Sequence, residues 1–139
     1  MDKSISSGVI GGLVGGVVFG MMMNMMGMMP MIGKMVGMES AGAGWVIHLL
    51  ISAGTGALFA HFFGNMVSSY LSGAGYGLLY GVIWWVLGAL ILMPVILGMG
   101  VQFANAGGEM AMGSLKGHLL FGLILGLVVA HMTKKDSLS

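Results

Sequence analysis

Between Glu39 and Glu109 the chain carries no Asp, Glu, Lys or Arg, and none falls between Lys3 and Lys34 either. An ionised side chain in hydrocarbon is costly, so uncharged stretches of this length restrict the fold to helices that cross a bilayer. The nine charges (Asp2, Lys3, Lys34, Glu39, Glu109, Lys116, Lys134, Lys135 and Asp136) stand at the termini or between apolar runs. Only 6% of residues are charged and 58% are hydrophobic, with a mean hydropathy of +1.02. A soluble domain carries about 25% charge, so the sequence is that of an integral membrane protein whose first partner is the lipid bilayer.

Runs of about 20 residues are needed to cross a ~30 Å core. They place spans at residues 7–29, 42–63, 72–97 and 115–132 of a single membrane domain. The expected fold class is an all-α bundle of four transmembrane helices. The first run is too long for the apolar part of a signal peptide, so it is expected to stay as mature structure. Lys3, Lys134 and Lys135 share one side with both termini, against Lys34 and Lys116 on the other. The positive-inside bias then favours an inner-membrane protein with cytoplasmic termini. The links at 31–41 and 98–114 would face outward.

The chain also resembles itself. Windows 48–61 and 118–131 align without gaps at an offset of 70 and share six identities, and they contain all four histidines, His48, His61, His118 and His131. Upstream, Ser7-Gly8, Gly12 and Gly16 match Ser72-Gly73, Gly77 and Gly81, and Met29-Pro30-x-Ile32 matches Met93-Pro94-x-Ile96. This pattern predicts two tandem two-helix repeats, 1–70 and 71–139. Because each unit has an even number of spans, the halves would be related by a pseudo-two-fold axis along the membrane normal. His48 would face His118, and His61 would face His131.

Gly8, Gly12, Gly16 and Gly20 form a ladder with a stride of four, and Gly73, Gly77 and Gly81 repeat it. Small residues at this spacing let helix backbones touch in lipid, so the first and third spans are expected to be packing helices. A slot for a flat cofactor is the alternative. Pro30 and Pro94 would break or bend helices, and the carbonyls they free could instead help form a polar site.

Methionine is concentrated: of 17 in the chain, ten lie between Met21 and Met38. Met21/Met25, Met22/Met26, Met25/Met29 and Met31/Met35 stack on helix faces. Thioether sulfur is a soft ligand suited to Cu(I) and carries no charge into lipid, although methionine also serves as adaptable filler. Asn24, the one amide in a predicted span, needs a partner on another helix.

These features leave three functional readings. In the first, a transition metal, Cu(I) foremost, is bound between the repeats by His48 and His118, with Met21, Met22, Met25, Met26 and Met29 as soft lining and Glu109, Met110 and Met112 nearby. In the second, b-type haem is ligated by His48 and His118, and also by His61 and His131. Thirteen residues separate the histidines of each helix by about 20 Å but leave them about 140° apart around it. A bulge at Gly54-Thr55-Gly56 would be needed to restore the phase. The third is a structural subunit without cofactor, packing into a homo-oligomer or a larger membrane complex.

No cysteine is present and the net charge is +1, which removes disulfides, thiolate ligands and a nucleic-acid surface. No carboxylate or nucleophile constellation suggests an enzyme.

His48 opening a helix of small and aromatic residues, Gly73-Ala74-x-Tyr76-Gly77, Tyr80-Gly81-x-x-Trp84, Met93-Pro94 and Gly117-His118 occur in an order that resembles the YagU-like family of small bacterial inner-membrane proteins. The resemblance covers about half the chain. It implies a multi-span inner-membrane protein with a suggested link to acid tolerance, and it draws attention to His48 and His118. The methionine run, His61 and His131 lie outside it.

Overall fold

The structure is a computed structural model that describes the backbone of residues 3–137 and the side chains of 4–134. Asp2 lies outside the described residues, as do the side chains of Lys3, Lys135 and Asp136. Among the described residues the fold is helical throughout: α1 (Lys3–Met25), α2 (Met29–Lys34), α3 (Ala41–Phe63), α4 (Tyr70–Trp84), a π-helical stretch (Trp85–Leu92), α5 (Met93–Ile96) and α6 (Glu109–Ser137). Four stretches are long and apolar enough to cross a membrane: Ser4–Met25, Ala41–Met66, Tyr70–Ile96 and Glu109–Lys134. The protein is a four-helix, multi-pass membrane protein.

Local chemistry sets the helix ends. The first span stops at Met25, four residues before its expected end, because Gly27 takes a left-handed conformation (φ 70°). Met28 N–H then caps Met23 O at 3.0 Å and Gly27 N–H caps Asn24 O at 3.1 Å, a glycine-terminated helix end. Pro30 therefore starts α2 and does not bend α1. The fourth span begins at Glu109, six residues earlier than expected, with an acidic side chain in its first turn, where the helix dipole favours one. Glu109 thus belongs to α6 and not to the preceding link, and Lys116, although charged, lies two turns inside the same helix. Ser69 and Ser72 cap the start of α4 reciprocally.

The glycine ladders join each odd span to the next one. A Cβ on Gly8 would strike Gly56 O, and one on Gly12 would strike Ser52 O. In the second half, the same test at Gly73, Gly77 and Gly81 meets Gly126 O, Gly122 O and His118 O. The matched glycines therefore make matched crossings, α1 on α3 and α4 on α6, with backbone against backbone. The outer interfaces are not matched. α1 packs along α6, through Gly11 and Gly15 against Leu125 and Phe121, whereas the backbones of α3 and α4 stay apart.

Side chains close part of that gap. Towards the face that carries the chain ends, Phe59, Phe63, Tyr76 and Tyr80 pack together, Phe59 and Tyr80 with ring centroids 5.1 Å apart. The Tyr80 hydroxyl donates to Thr55 O at 2.5 Å, tying α4 to α3. Towards the opposite face the gap stays open beside the π-helical stretch.

The crossings give a direct stability test on one helix. Gly77→Ala, which drives a methyl into Gly122, is expected to cost about 1–3 kcal/mol by overpacking. Gly75→Ala has no neighbour within 4 Å and should leave thermal unfolding in detergent unchanged. Equal melting of the two variants would refute the backbone crossing.

Candidate functional site

A cavity of about 670 Å³ fills the open part of the α3–α4 gap. α3 contributes His48, Ile51, Ser52, Gly54, Thr55 and Leu58, and the opposite wall comes from Trp84, Gly88, Ala89, Leu92, Met93 and Ile96. Phe19 and Met23 of α1, then Met28, Ile32 and Met35, line one end, and Ser114, His118 and Phe121 of α6 line the back. Ile51, Leu58, Leu92 and Ile96 are also exposed on the outer surface of the bundle. The mouth therefore opens sideways, between helices, where a membrane protein meets lipid.

The wall beside the mouth owes its shape to Trp85–Leu92, where Met93 N–H bonds Gly88 O in the wide i→i+5 pattern. Pro94 has no N–H to continue this ladder. Gln102 N–H, from the following loop, bonds the carbonyl of buried Leu90 at 2.8 Å. Trp85 Nε1–H donates to Ala111 O at 2.9 Å and pins the stretch to α6. Gly54-Thr55-Gly56, the expected place for a bulge, is regular α-helix.

Without a bulge in α3 or α6 the two histidines of each helix cannot face the same way, and their surroundings reflect this. His48 is buried and His118 half-buried, and both line the cavity. His61 and His131 are exposed. The expected facing of His61 and His131 does not occur: His61 contacts Phe62, and His131 Nδ1 bonds the Tyr70 hydroxyl at 2.8 Å beneath Lys134.

The cavity histidines are held by backbone carbonyls. His48 Nε2 lies 2.7 Å from Gly16 O and His118 Nδ1 lies 2.8 Å from Ser114 O. A carbonyl only accepts, so each of these nitrogens is the N–H of its ring. In the neutral ring the remaining nitrogen, Nδ1 of His48 and Nε2 of His118, is then a lone-pair acceptor. Among the described residues the one sealed-off polar side-chain atom without a hydrogen bond is Trp84 Nε1. Both rings line the cavity, and neither acceptor nitrogen is sealed without a partner.

Phe19 stands against both rings, with centroids 5.5 Å from His48 and 4.7 Å from His118, in edge geometry each time. Gly117 and Gly20 make this possible. A Cβ on Gly117 would run into the Phe19 ring, and one on Gly20 into Trp45, with His48 Cδ2 at 3.1 Å. Asn24 finds its interhelical partner, accepting from Trp45 Nε1 at 3.3 Å.

The methionines divide differently from their sequence stacking. Met21, Met25 (86% exposed) and Met26 lie on the surface, and half-buried Met22 does not line the cavity. Met29 is fully buried, its backbone carbonyl pressed on Gly44 where α2 meets α3. The thioethers that line the same cavity as the histidines are Met23, Met28, Met35 and Met93, of which only Met35 belongs to a stride-of-four pair. One sequence signal was present: Gly16, Phe19, Gly20 and Met23 share a helix face with the glycine ladder. Exposed Glu109, Met110 and Met112 also lie outside this cavity. A second cavity of about 380 Å³, at the face opposite the chain ends, is lined by Met31, Met99, Lys34 and Glu39.

Among the described residues no three His, Asp or Glu side chains converge, so a metal in the large cavity would draw on imidazole and thioether. A bis-histidine haem would need both imidazoles on one iron, and the Phe19 ring packs against each of them. No family model, curated protein or solved structure matches the chain.

The contrast between the two histidine pairs is measurable. His48→Leu removes the bond to Gly16 O and is expected to destabilise the protein by about 1 kcal/mol. His61→Leu, at an exposed position, should stay within about 0.5 kcal/mol. Thermal unfolding of both in the same detergent checks the difference; a larger loss from His61→Leu would contradict the placement.

Proposed function

We propose that the protein binds a small apolar molecule dissolved in the bilayer, taken up sideways through the gap between α3 and the π-helical stretch. The observation that carries this reading is the cavity: about 670 Å³ with mostly apolar walls, one imidazole from α3 and one from α6, and a mouth on the lipid-facing surface. Ligand pockets combine this size and apolarity with a few convergent polar groups. With both chain ends cytoplasmic in an inner membrane, as the lysines favour, the mouth lies towards the outer leaflet. Binding, with no chemical step, is what these groups support.

Filling the cavity tests the reading. Gly88 and Ala89 both line it, and the nearest heavy atom to a Cβ on Gly88 is Trp84 Cε3 at 3.8 Å. The wild-type protein, extracted with organic solvent after purification, should release an apolar compound at close to one per chain. Ala89→Phe should fold normally and release little. Equal recovery from both proteins, or none from wild type, would sink the proposal.

A second reading, soft-metal binding, is supported by one specific feature. Met23 and Met28 line the same cavity as two imidazoles whose free nitrogens are lone-pair donors. Each ring gives its other N–H to a backbone carbonyl, the arrangement that orients metal-binding histidines. Copper(I) is the ion such a set prefers. Silver(I), its redox-inert analogue, would then bind with a stoichiometry near one, and the double variant Met23→Leu/Met28→Leu would weaken binding by about tenfold or more. Undiminished silver binding in that variant would place the ion on the surface methionines.

A further inference from the structure

The polar groups of the large cavity define the head of the molecule it takes, given that the cavity binds a bilayer-dissolved ligand at all. Each group has a definite hydrogen-bonding commitment. Ser52 Oγ donates to His48 O at 2.7 Å and Thr55 Oγ1 donates to Ser52 O at 3.2 Å, so both hydroxyl hydrogens are spent on their own helix. The Tyr80 hydroxyl hydrogen is spent on Thr55 O. Trp84 Nε1–H is sealed within the protein. The Tyr80 oxygen beside it still has lone pairs, since only the hydroxyl hydrogen is spent on Thr55 O.

The hydroxyl oxygens of Ser52 and Thr55 keep acceptor lone pairs, and three further groups remain available. His48 Nδ1 and His118 Nε2 are acceptors, because the backbone carbonyls of Gly16 and Ser114 fix the N–H on the other nitrogen of each neutral ring. The Ser114 hydroxyl, 3.3 Å from His118 Nδ1, can turn either way. A molecule whose head carries only acceptors, such as an ether or a ketone, could satisfy Ser114 alone and would strip any hydrating water from both imidazoles without replacement. A molecule that carries a hydroxyl hydrogen satisfies what the cavity offers.

We infer that the ligand is a hydroxyl-headed apolar compound, an alkylated phenol or a long-chain alcohol in chemical class, which donates its hydrogen bond to His48 or His118 while its chain lies along Ile51, Leu58 and Leu92 towards the mouth. Leaving a buried acceptor unpaired costs more than an average hydrogen bond returns, so discrimination against the capped head should be steep.

The test compares two probes that differ by one methyl group, para-dodecylphenol and its O-methyl ether. Binding to the full-length protein in detergent is followed by tryptophan fluorescence, since Trp84 lines the cavity, with affinities expressed per micellar mole fraction. The phenol should bind about tenfold or more tightly than the ether. His118→Leu should reduce that ratio towards one, because it removes an acceptor whose other nitrogen bonds only its own helix. Equal affinities for phenol and ether in the wild type would overturn the donor-head inference while leaving the apolar-ligand reading standing. Failure of both probes to bind, with Ala89→Phe indistinguishable from wild type, would remove that reading and this inference with it. A phenol preference that survives the double variant His48→Leu/His118→Leu would also overturn the inference, by placing the donor on another acceptor.

Discussion

Backbone contact through glycine is the constraint on which the rest of the structure depends. In lipid there is little hydrophobic gain in bringing two apolar helices together, so close van der Waals packing must hold them. At Gly8/Gly56 and Gly73/Gly126 glycine meets glycine, with only the methyls of Ala60 and Ala130 beside them, and carbonyls sit where a glycine's own methyl would be. Two rigid helix pairs result. With α1 committed to α6 through Gly11 and Gly15, the fourth side of the bundle has no glycine seam of its own, and aromatic side chains span it over only part of its height. The cavity is what remains where the aromatics end.

That geometry also explains how two histidines from different helices come to share one space. Each sits about two turns from the end of its helix farthest from the chain ends, and each is on the face that its own glycine crossing turns inward. Gly16 supplies both the gap that admits α3 and the carbonyl that fixes the His48 tautomer; Gly81 rests on the backbone of His118 itself. The packing motif and the polar site are therefore built from the same residues. A glycine substitution here would disturb ring orientation as well as helix distance.

Much of the fold was legible in the sequence, because charge avoidance in lipid is a strong rule and the nine charges are sparse. Four spans, the packing role of the glycine ladders and the buried position of His48 follow from residue type and spacing. The helix phase correctly separated His48 from His61 and His118 from His131. The span ends were less legible, since Gly27 and Glu109 act through cap geometry and helix dipole, while hydropathy runs on smoothly past them. The methionines misled for a related reason. Met21/Met25 and Met22/Met26 stack equally well on a bare helix, and only the position of α3 and α6 decides which side is inside; Met23, on the glycine face, was the better guide. The π-helical stretch left no periodic signature, and so the wall of the cavity could not be foreseen.

One hydrogen bond gives the cavity a dependence on residues outside the membrane. Leu90 O is held by the main-chain N–H of Gln102, and Gln102 belongs to the loop that runs from α5 to α6. The loop is braced locally: the Gln102 side chain bonds the carbonyls of Met99 and Gly100 and accepts from Asn105. The polar loop and the lipid-facing wall are thereby one mechanical unit. Insertions or deletions between Gly98 and Gly108 would be felt as a change of calibre in the cavity, although no residue of that segment lines it.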